Sequence, residues 1–190
     1  AAEQAAPTAL WVHLYDPHDP YEPPEPFASR YADRPYDGEV AWTDELVGRL
    51  RAQLEAHGLW QDALVVITAD HGEALGEHGE TGHGYFAYET TLRVPFIARG
   101  PGLPAGATIP GIVRAVDVMP TVLDLLGLAA GAPATTGTSL ATAFRGGAAP
   151  PGMERGQHGV LAVGHGAPLP RARGGLVGLG HGRLGVDGTE

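Results

Sequence analysis

The sequence predicts an α/β domain built in layers, with a mixed, mostly parallel sheet and helices packed on its faces. The first observation is a continuous aliphatic run at 64–70, which is typical of a strand buried on both sides. The second is a pair of segments, 38–57 and 116–126, in which apolar residues recur at helical spacing. Two further apolar segments, 9–15 and 93–98, add strands to the predicted sheet.

The composition limits the classes of function before any motif is considered. At 190 residues the chain suits one domain with a substantial core, and its hydrophobic content of 43% fits a globular protein. No apolar run reaches the roughly 18 residues of a membrane span. A net charge of −10 without a basic stripe excludes nucleic acid as a partner. Because the chain has no cysteine, it has no disulfide, thiolate metal site or Cys nucleophile.

Prolines and a glycine separate the first predicted elements of the chain. The strand at 9–15 contains Trp, Val and Tyr, and the proline-rich segment 16–35 that follows can be neither a helix nor an inner strand, so an ordered loop or lid is expected there. The helix at 38–57 stops at Gly58. The chain then enters the strand at 64–70.

The second half continues the alternation. A glycine-rich loop is predicted at 72–91, followed by the strand at 93–98. The helix at 116–126 has Pro120 in its first turn and Gly127 as its cap.

The last segment differs in composition. Glycine makes up 12 of the 39 residues from Gly152 onward, aromatic residues are absent, and the apolar residues follow no period. Such a sequence gains too little from burial to offset its ordering entropy. We therefore divide the chain into a folded unit at 1–145 and a glycine-rich tail at 146–190, which is either disordered or translated in a shifted reading frame.

Asp70 and His71 are candidate ligands of a divalent metal. They directly follow the predicted strand at 64–70, and open α/β sheets place their sites beyond the carboxyl ends of such strands. A carboxylate and an imidazole supply half of a metal site, and Gly72 lets the backbone turn away from it. The alternative is a turn in which Asp70 caps the next element.

Three histidines are candidates for contact with substrate. His18 lies in the proline-rich loop, where the prolines lower the entropy cost of holding a side chain in place. His83 stands between two glycines, so that no neighbouring Cβ obstructs a ligand. For His78 a substrate contact and a solvated surface position remain equally open, whereas His13, on the predicted strand, is interpreted as a core histidine.

Eight motifs in register resemble the C-terminal half of the catalytic domain of sulfatases, members of the wider alkaline-phosphatase superfamily. The order and spacing match across residues 9–145. The motifs lie at 13–21, 36–40, 47–50, 68–73, 77–80, 83–86, 92–95 and 116–121. The resemblance implies an alkaline-phosphatase-like layered sandwich, of which 1–145 is a part.

The resemblance also implies roles for the candidate residues. In that family a divalent cation, usually Ca²⁺, lies among two upstream Asp residues and a later pair that Asp70 and His71 match. His18 and His83 match the positions that contact the sulfate or its leaving oxygen. The family nucleophile is a formylglycine made within a Cys/Ser-x-Pro-x-Arg motif, and neither this motif nor the upstream Asp pair occurs in the sequence.

The implied function is metal-dependent hydrolysis of a sulfate ester, carried by a small molecule or a glycan, with the isolated chain inactive. The imidazole ligand also suits Mn²⁺, Mg²⁺ or Zn²⁺. Two alternatives remain open: hydrolysis of phosphodiesters or phosphonate monoesters in the same superfamily, and a non-catalytic metal-binding remnant. The family suggests a periplasmic, secreted or membrane-associated protein, although no signal peptide is expected in the first residues. The oligomeric state is left open.

Overall fold

The computed structural model describes residues 8–150 and the backbone of 159–162. Its α-helices are α1 Phe27–Arg30, α2 Pro35–Ala56, α3 Glu89–Leu92, α4 Val118–Leu125 and α5 Ala141–Phe144. Its strands are β1 Val65–Thr68, β2 Ala74–Leu75, β3 Thr81–Gly82, β4 Phe96–Arg99, β5 Ala107–Pro110 and β6 Gly159–Ala162. The rest of the predicted tail at 146–190 lies outside the described residues, so the predicted division of the chain stays a prediction.

The main sheet has four strands in the order β1-β4-β6-β5, and it is mixed, as predicted. Strand β4 runs parallel to β6, whereas β1 pairs antiparallel with β4 and β5 pairs antiparallel with β6. Within this sheet only one of the three described strand pairs is parallel, a smaller share than expected. Strands β1 and β4 run antiparallel because the segment between them contains a small hairpin and a short helix. A parallel pair would need a crossover connection, usually a longer helix.

The hydrophobic core lies between this sheet and the helices α4 and α5. Phe144 is fully buried, and its ring meets that of Phe96 edge-on with centroids 5.3 Å apart. The other buried members of the cluster are Ala98, Leu103, Ile109, Leu125, Leu140, Ala141 and Ala143. The prediction that the helix at 116–126 packs on the sheet is thus confirmed, and Gly127 ends it in the left-handed region at φ +73°.

Asp117 anchors the start of α4. Its buried carboxylate accepts hydrogen bonds from the Arg114 guanidinium at 2.8 Å and from the backbone N–H of Thr138 at 2.8 Å. Burial alone raises the pKa of Asp117, but the Arg114 side chain and these backbone donors outweigh it and lower that pKa below its ordinary value of 3.8. The carboxylate thus joins α4 to the segment before α5.

Helix α2 does not pack as predicted. It begins at Pro35, where a proline suits the first turn, and the chain leaves it through Gly58 at φ +68°. Its buried residues are Gly38 and Glu39, and none of its residues belongs to the described core cluster. Gly38 instead lies against the proline-rich loop, because a Cβ there would come within 2.7 Å of Pro23 Cγ.

The strand predicted at 9–15 is wrong for the described structure. Residues 8–15 have no strand partner among the described residues, and a strand needs a neighbour to accept its backbone hydrogen bonds. Trp11 is 83% exposed, and Leu10 and Tyr15 are exposed as well. Within the described part of the chain, no helix is both long and apolar enough to cross a membrane.

Candidate active site

Asp70 and His71 follow β1 at its carboxyl end, as predicted. The Asp70 side chain is 82% exposed, and its Oδ2 lies 3.8 Å from His71 Nε2. Burial on its own raises the pKa of Asp70, but hydrogen bonds from its own backbone N–H and that of His71 lower it below 3.8, aided by the charges of His71 and His13. The carboxylate is therefore ionised and faces solvent.

The His71 ring is held in one tautomer. Its Nδ1 lies 2.9 Å from the carbonyl oxygen of Gly72, which only accepts hydrogen bonds, so Nδ1 carries the proton. The Nε2 lone pair of the neutral ring is then free to bind a cation. Two donor atoms that each lie about 2.1 Å from one ion are at most about 4.2 Å apart. The observed separation of 3.8 Å between Nε2 and Asp70 Oδ2 satisfies that limit.

Gly72 is required because two backbone segments come close together there. Its N–H donates to Thr91 O at 2.8 Å. A Cβ at Gly72 would overlap Thr90 O and lie 2.9 Å from Arg93 O. The described φ of Gly72 is not left-handed, so close approach, rather than the predicted sharp turn, explains this glycine.

His83 is held by a two-stranded hairpin. Strands β2 and β3 pair Ala74 with Gly82 and Leu75 with Thr81, and continuing this register places Glu73 opposite His83. His83 Nδ1 lies 3.1 Å from Glu73 Oε1. The flanking Gly82 and Gly84 have φ of +105° and +102°, so the glycines supply a left-handed backbone on both sides of the imidazole.

His18 is held by a buried carboxylate of helix α2. Glu39 is 3% exposed, and its two oxygens accept the backbone N–H groups of His18 at 2.9 Å and Glu22 at 2.7 Å. The His18 ring stacks on Tyr15 with centroids 4.3 Å apart. Its Nδ1 faces Asp19 O at 2.7 Å, and its Nε2 lies 3.1 Å from the Tyr15 hydroxyl. The loop around His18 is therefore ordered, as predicted. The expectation that 16–35 holds no helix is wrong, because α1 begins directly after Pro26 and no proline interrupts the chain again before Pro35.

The structure brings three imidazoles together from three segments of the chain. The rings of His71 and His83 lie 3.9 Å apart between centroids, and those of His18 and His83 lie 6.2 Å apart in an edge-on arrangement. Together with Asp70 they form a polar cluster beyond the end of β1. In chemical terms, the cluster offers the exposed carboxylate of Asp70 and two ring nitrogens without a hydrogen bond among the described residues, Nε2 of His71 and Nε2 of His83, whereas Nε2 of His18 meets the Tyr15 hydroxyl.

Two other histidines take different places. His78, at the tip of the hairpin with φ of +57°, stacks on Tyr88 at 4.1 Å between centroids. Among the described residues no ring contact or hydrogen bond joins it to the cluster, so its contact with substrate stays a prediction. His13 is exposed, contrary to the core interpretation, and its charge helps to lower the pKa of Asp70.

The described residues contain no group of three or more His, Asp or Glu side chains arranged to hold a metal ion. What Asp70 and His71 provide is two adjacent donors, one a carboxylate and one an imidazole with its Nε2 free. The chemistry of this donor set fits part of a divalent site, and the assignment of Asp70 and His71 as metal ligands stays a prediction.

Sequence reasoning did not assign the residues that support the cluster. Glu39 lies 21 residues from His18 and Glu73 lies 10 residues from His83. Tyr21 donates its hydroxyl to Glu73 Oε2 at 3.0 Å across 52 residues. The hairpin register was the one local signal that could have paired Glu73 with His83, since two short segments around a glycine-rich turn fix which residues face each other.

Comparison with solved structures places the fold. A phosphonate monoester hydrolase of Agrobacterium radiobacter matches 64% of this chain with a TM-score of 0.57 and 34% identity, and the match covers 24% of that enzyme. A phosphonate monoester hydrolase from Silicibacter pomeroyi matches the same share of this chain with a TM-score of 0.56. The fold is therefore that of part of an α/β domain of the alkaline-phosphatase superfamily.

Sequence comparison then gives the family. A family model described as Sulfatase matches residues 1–128, and the chain belongs to the sulfatase family. Arylsulfatase K of Mus musculus is 36% identical over 107 residues, which are 56% of this chain and 19% of the relative. The multifunctional alkaline phosphatase superfamily protein PehA of Trinickia caryophylli is 39% identical over 95 residues, 48% and 18% of the two chains. The chain thus spans about a fifth of these relatives.

Proposed function

We propose that this chain carries part of the active site of a metal-dependent hydrolase of sulfate esters, borne by a small molecule or a glycan. The observation that carries the proposal is the convergence of His18, His71 and His83 beside Asp70, in a chain of the sulfatase family. The three imidazoles come from separate segments, and each segment has its own support. Such convergence is what a site for one anionic group requires.

Asp70 and His71 would hold the cation, Asp70 through its exposed carboxylate and His71 through Nε2. A bound divalent cation would supply positive charge that polarises the ester and favours an ionised nucleophile. Ca²⁺ is the expected metal from the family, and the imidazole ligand also suits Mn²⁺, Mg²⁺ or Zn²⁺. The low pKa of Asp70 keeps this ligand ionised near neutral pH.

His83 and His18 are the proposed contacts to the ester. The ring of His83 lies 3.9 Å from that of His71 and 6.2 Å from that of His18, so His83 is the imidazole nearer to the proposed metal ligand. An imidazolium ring, which carries hydrogen on both nitrogens, can orient an oxyanion through Nε2–H and transfer that proton to the leaving oxygen. The sequence contains no Cys/Ser-x-Pro-x-Arg motif, so we expect the 190-residue chain to bind a metal without turning over an ester by itself.

A second candidate function is hydrolysis of phosphonate monoesters or phosphodiesters. The observation that favours it is the similarity to two phosphonate monoester hydrolases, each matching 64% of this chain. The residues of the cluster suit a tetrahedral phosphorus centre as well as a sulfate, because both present anionic oxygens to the cation and the imidazoles. A non-catalytic metal-binding remnant is the remaining outcome of the test.

Two measurements test the proposal. Calorimetric titration of the 190-residue chain with Mn²⁺ and with Ca²⁺ should show binding that is lost in Asp70→Asn and His71→Ala. The exposed residues Asp62 and His57 give matched controls, Asp62→Asn and His57→Ala, which should bind as the parent does. Unchanged binding in the Asp70 and His71 variants would contradict the metal site.

The substrate class is tested on the protein expressed from the complete gene that carries this sequence. Its turnover of 4-nitrophenyl sulfate should exceed that of bis(4-nitrophenyl) phosphate and of 4-nitrophenyl phenylphosphonate. The reverse order would move the assignment to the second candidate function. Metal binding without turnover of any of the three esters would leave the non-catalytic remnant.

A further inference from the structure

We propose that Glu73 is a positioning residue that holds His83 by Nδ1 and so presents Nε2 to the ester. The assignment of Nε2 as the atom facing substrate rests on the proposed function. The hold of Glu73 on Nδ1 does not, because it follows from contacts within the chain. Glu73 would act through His83 and would not itself touch the substrate.

The hairpin register is the first argument. Residues directly opposite each other in an antiparallel pair project to the same face, with Cβ atoms about 5 Å apart. Positions 73 and 83 continue the pairing of Ala74 with Gly82, so the backbone itself brings the carboxylate to the imidazole. The pairing at 3.1 Å is therefore built into the fold.

Both carboxylate oxygens of Glu73 have a hydrogen-bond partner. The side chain is 7% exposed; Oε1 meets His83 and Oε2 accepts the Tyr21 hydroxyl at 3.0 Å. The Tyr21 ring is itself fixed edge-on against Tyr36 of helix α2, with centroids 5.4 Å apart. Burial first, and then the hydrogen bond to Glu73, raise the pKa of Tyr21, so the hydroxyl keeps its proton and remains a donor.

The contact with Glu73 also determines which ring nitrogen of His83 carries hydrogen. An ionised carboxylate only accepts hydrogen bonds, so the ring nitrogen that faces it is the one that carries hydrogen. Since Gly82 and Gly84 have no side chains, Glu73 is the one hydrogen-bonding side chain on the His83 ring among the described residues. The opposite nitrogen, Nε2, is left free of protein hydrogen bonds in the same part of the chain.

The test is a nuclear magnetic resonance measurement of the ring nitrogens in the ¹⁵N-histidine-labelled 190-residue chain, at a pH where the imidazoles are neutral. The His83 signals are assigned by their loss in His83→Gln. The parent should show Nδ1–H as the dominant tautomer. Glu73→Ala should shift His83 to the Nε2–H form that free imidazoles favour, and Glu73→Gln, which keeps an acceptor oxygen, should restore Nδ1–H.

Glu45→Ala serves as a control, because Glu45 is an exposed residue of α2 that pairs with Arg49, away from the cluster. It should leave the His83 tautomer unchanged. A dominant Nε2–H form in the parent would overturn the proposal, and so would an unchanged tautomer in a folded Glu73→Ala chain. If Glu73→Ala does not fold, the tautomers of the parent and of Glu73→Gln test the proposal instead. A parent chain without the Nδ1–H form of His83 is enough to overturn it.

The result is separable from the proposed function. An Nδ1–H form of His83 that depends on Glu73, in a protein that hydrolyses none of the three esters, would support the positioning and overturn the proposed function. Ester turnover by a protein whose His83 carries its proton on Nε2 would support the proposed function and overturn the positioning.

Discussion

The apolar core and the histidine cluster are stabilised by opposite means. Around Phe144 the contacts are between hydrocarbon groups, packed between the sheet and helices α4 and α5. The carboxylates that hold His18 and His83, those of Glu39 and Glu73, are buried as well, and each of the two accepts two hydrogen bonds. The first region gains its stability from burial and the second gains its geometry from directed bonds.

This difference teaches where changes should affect the fold and where they should affect the site. Because the hydrophobic effect is not directional, loss of an apolar contact lowers the free energy of unfolding without leaving a particular group unpaired. Loss of a buried acceptor leaves a named N–H or hydroxyl group without a partner, so its effect is local and directional. Variants in each region test this difference.

The largest loss of stability is expected for Phe144→Ala. The ring is fully buried against Phe96, so its removal loses transfer free energy and leaves a cavity, at a cost of about 3–5 kcal/mol. Urea unfolding followed by circular dichroism measures the change. Phe86→Ala, at an exposed ring, is the control and should change stability by less than about 1 kcal/mol. Equal effects at the two positions would contradict the proposed core.

The next largest loss of stability is expected for Gly72→Ala. The added Cβ overlaps the carbonyl of Thr90, which is backbone and has little freedom to move, and we expect a cost of about 2–3 kcal/mol. Gly48→Ala is the matched control, since no atom lies within 4 Å of a Cβ in that part of α2. The control should be more stable than the parent by about 0.5–1 kcal/mol. Thermal unfolding of both variants measures the two effects, because Gly48→Ala changes only conformational entropy whereas Gly72→Ala also adds steric overlap.

Glu39→Gln should cost about 1–3 kcal/mol, because a glutamine offers one acceptor oxygen where two N–H groups need partners. Its effect should be local to the proline-rich loop. Hydrogen exchange of the amides of His18 and Glu22 is the measurement, and at least one of them should lose protection. Protection retained at both amides would show that Glu39 does not hold the loop.

Asp117→Asn should have a smaller effect that depends on pH. The folded pKa of Asp117 is lowered, so its contribution is fully present above its unfolded value of 3.8 and is lost as pH falls through the folded pKa. At pH 7 the variant should be less stable by about 1–2 kcal/mol. The difference from the parent should shrink below about pH 4 in urea unfolding series, and a difference that grows in acid would reverse the assigned sign.

The elements with strong local signals could be predicted from the sequence. The periodicity of apolar residues and the flanking prolines and glycines locate α2 and α4, and the aliphatic run at 64–70 locates β1 and, directly after it, Asp70 and His71. The boundaries differ by a few residues because prolines and short turns set them. The strand expected at 9–15 was wrong since pairing depends on a neighbour that periodicity does not reveal.

The candidate site could be predicted only in part. His18, His71 and His83 were recognisable by residue type and by their glycine or proline context, and the structure brings them together. Glu39 could not be assigned, because a buried carboxylate and an exposed one look alike in a sequence, and its contact with His18 spans 21 residues. For Glu73 the hairpin register was a local signal that pairs it with His83, but its contact with Tyr21 across 52 residues has no local signal.

The hairpin of β2 and β3 also determines which changes in chain length are compatible with the site. Residues added at its tip, between Leu75 and Thr81, lengthen the turn and leave Glu73 opposite His83. A residue added within either strand shifts the pairing by one and turns one of the two side chains to the other face. An insertion at the tip should therefore preserve the contact between Glu73 and His83, whereas an insertion within either strand should break it.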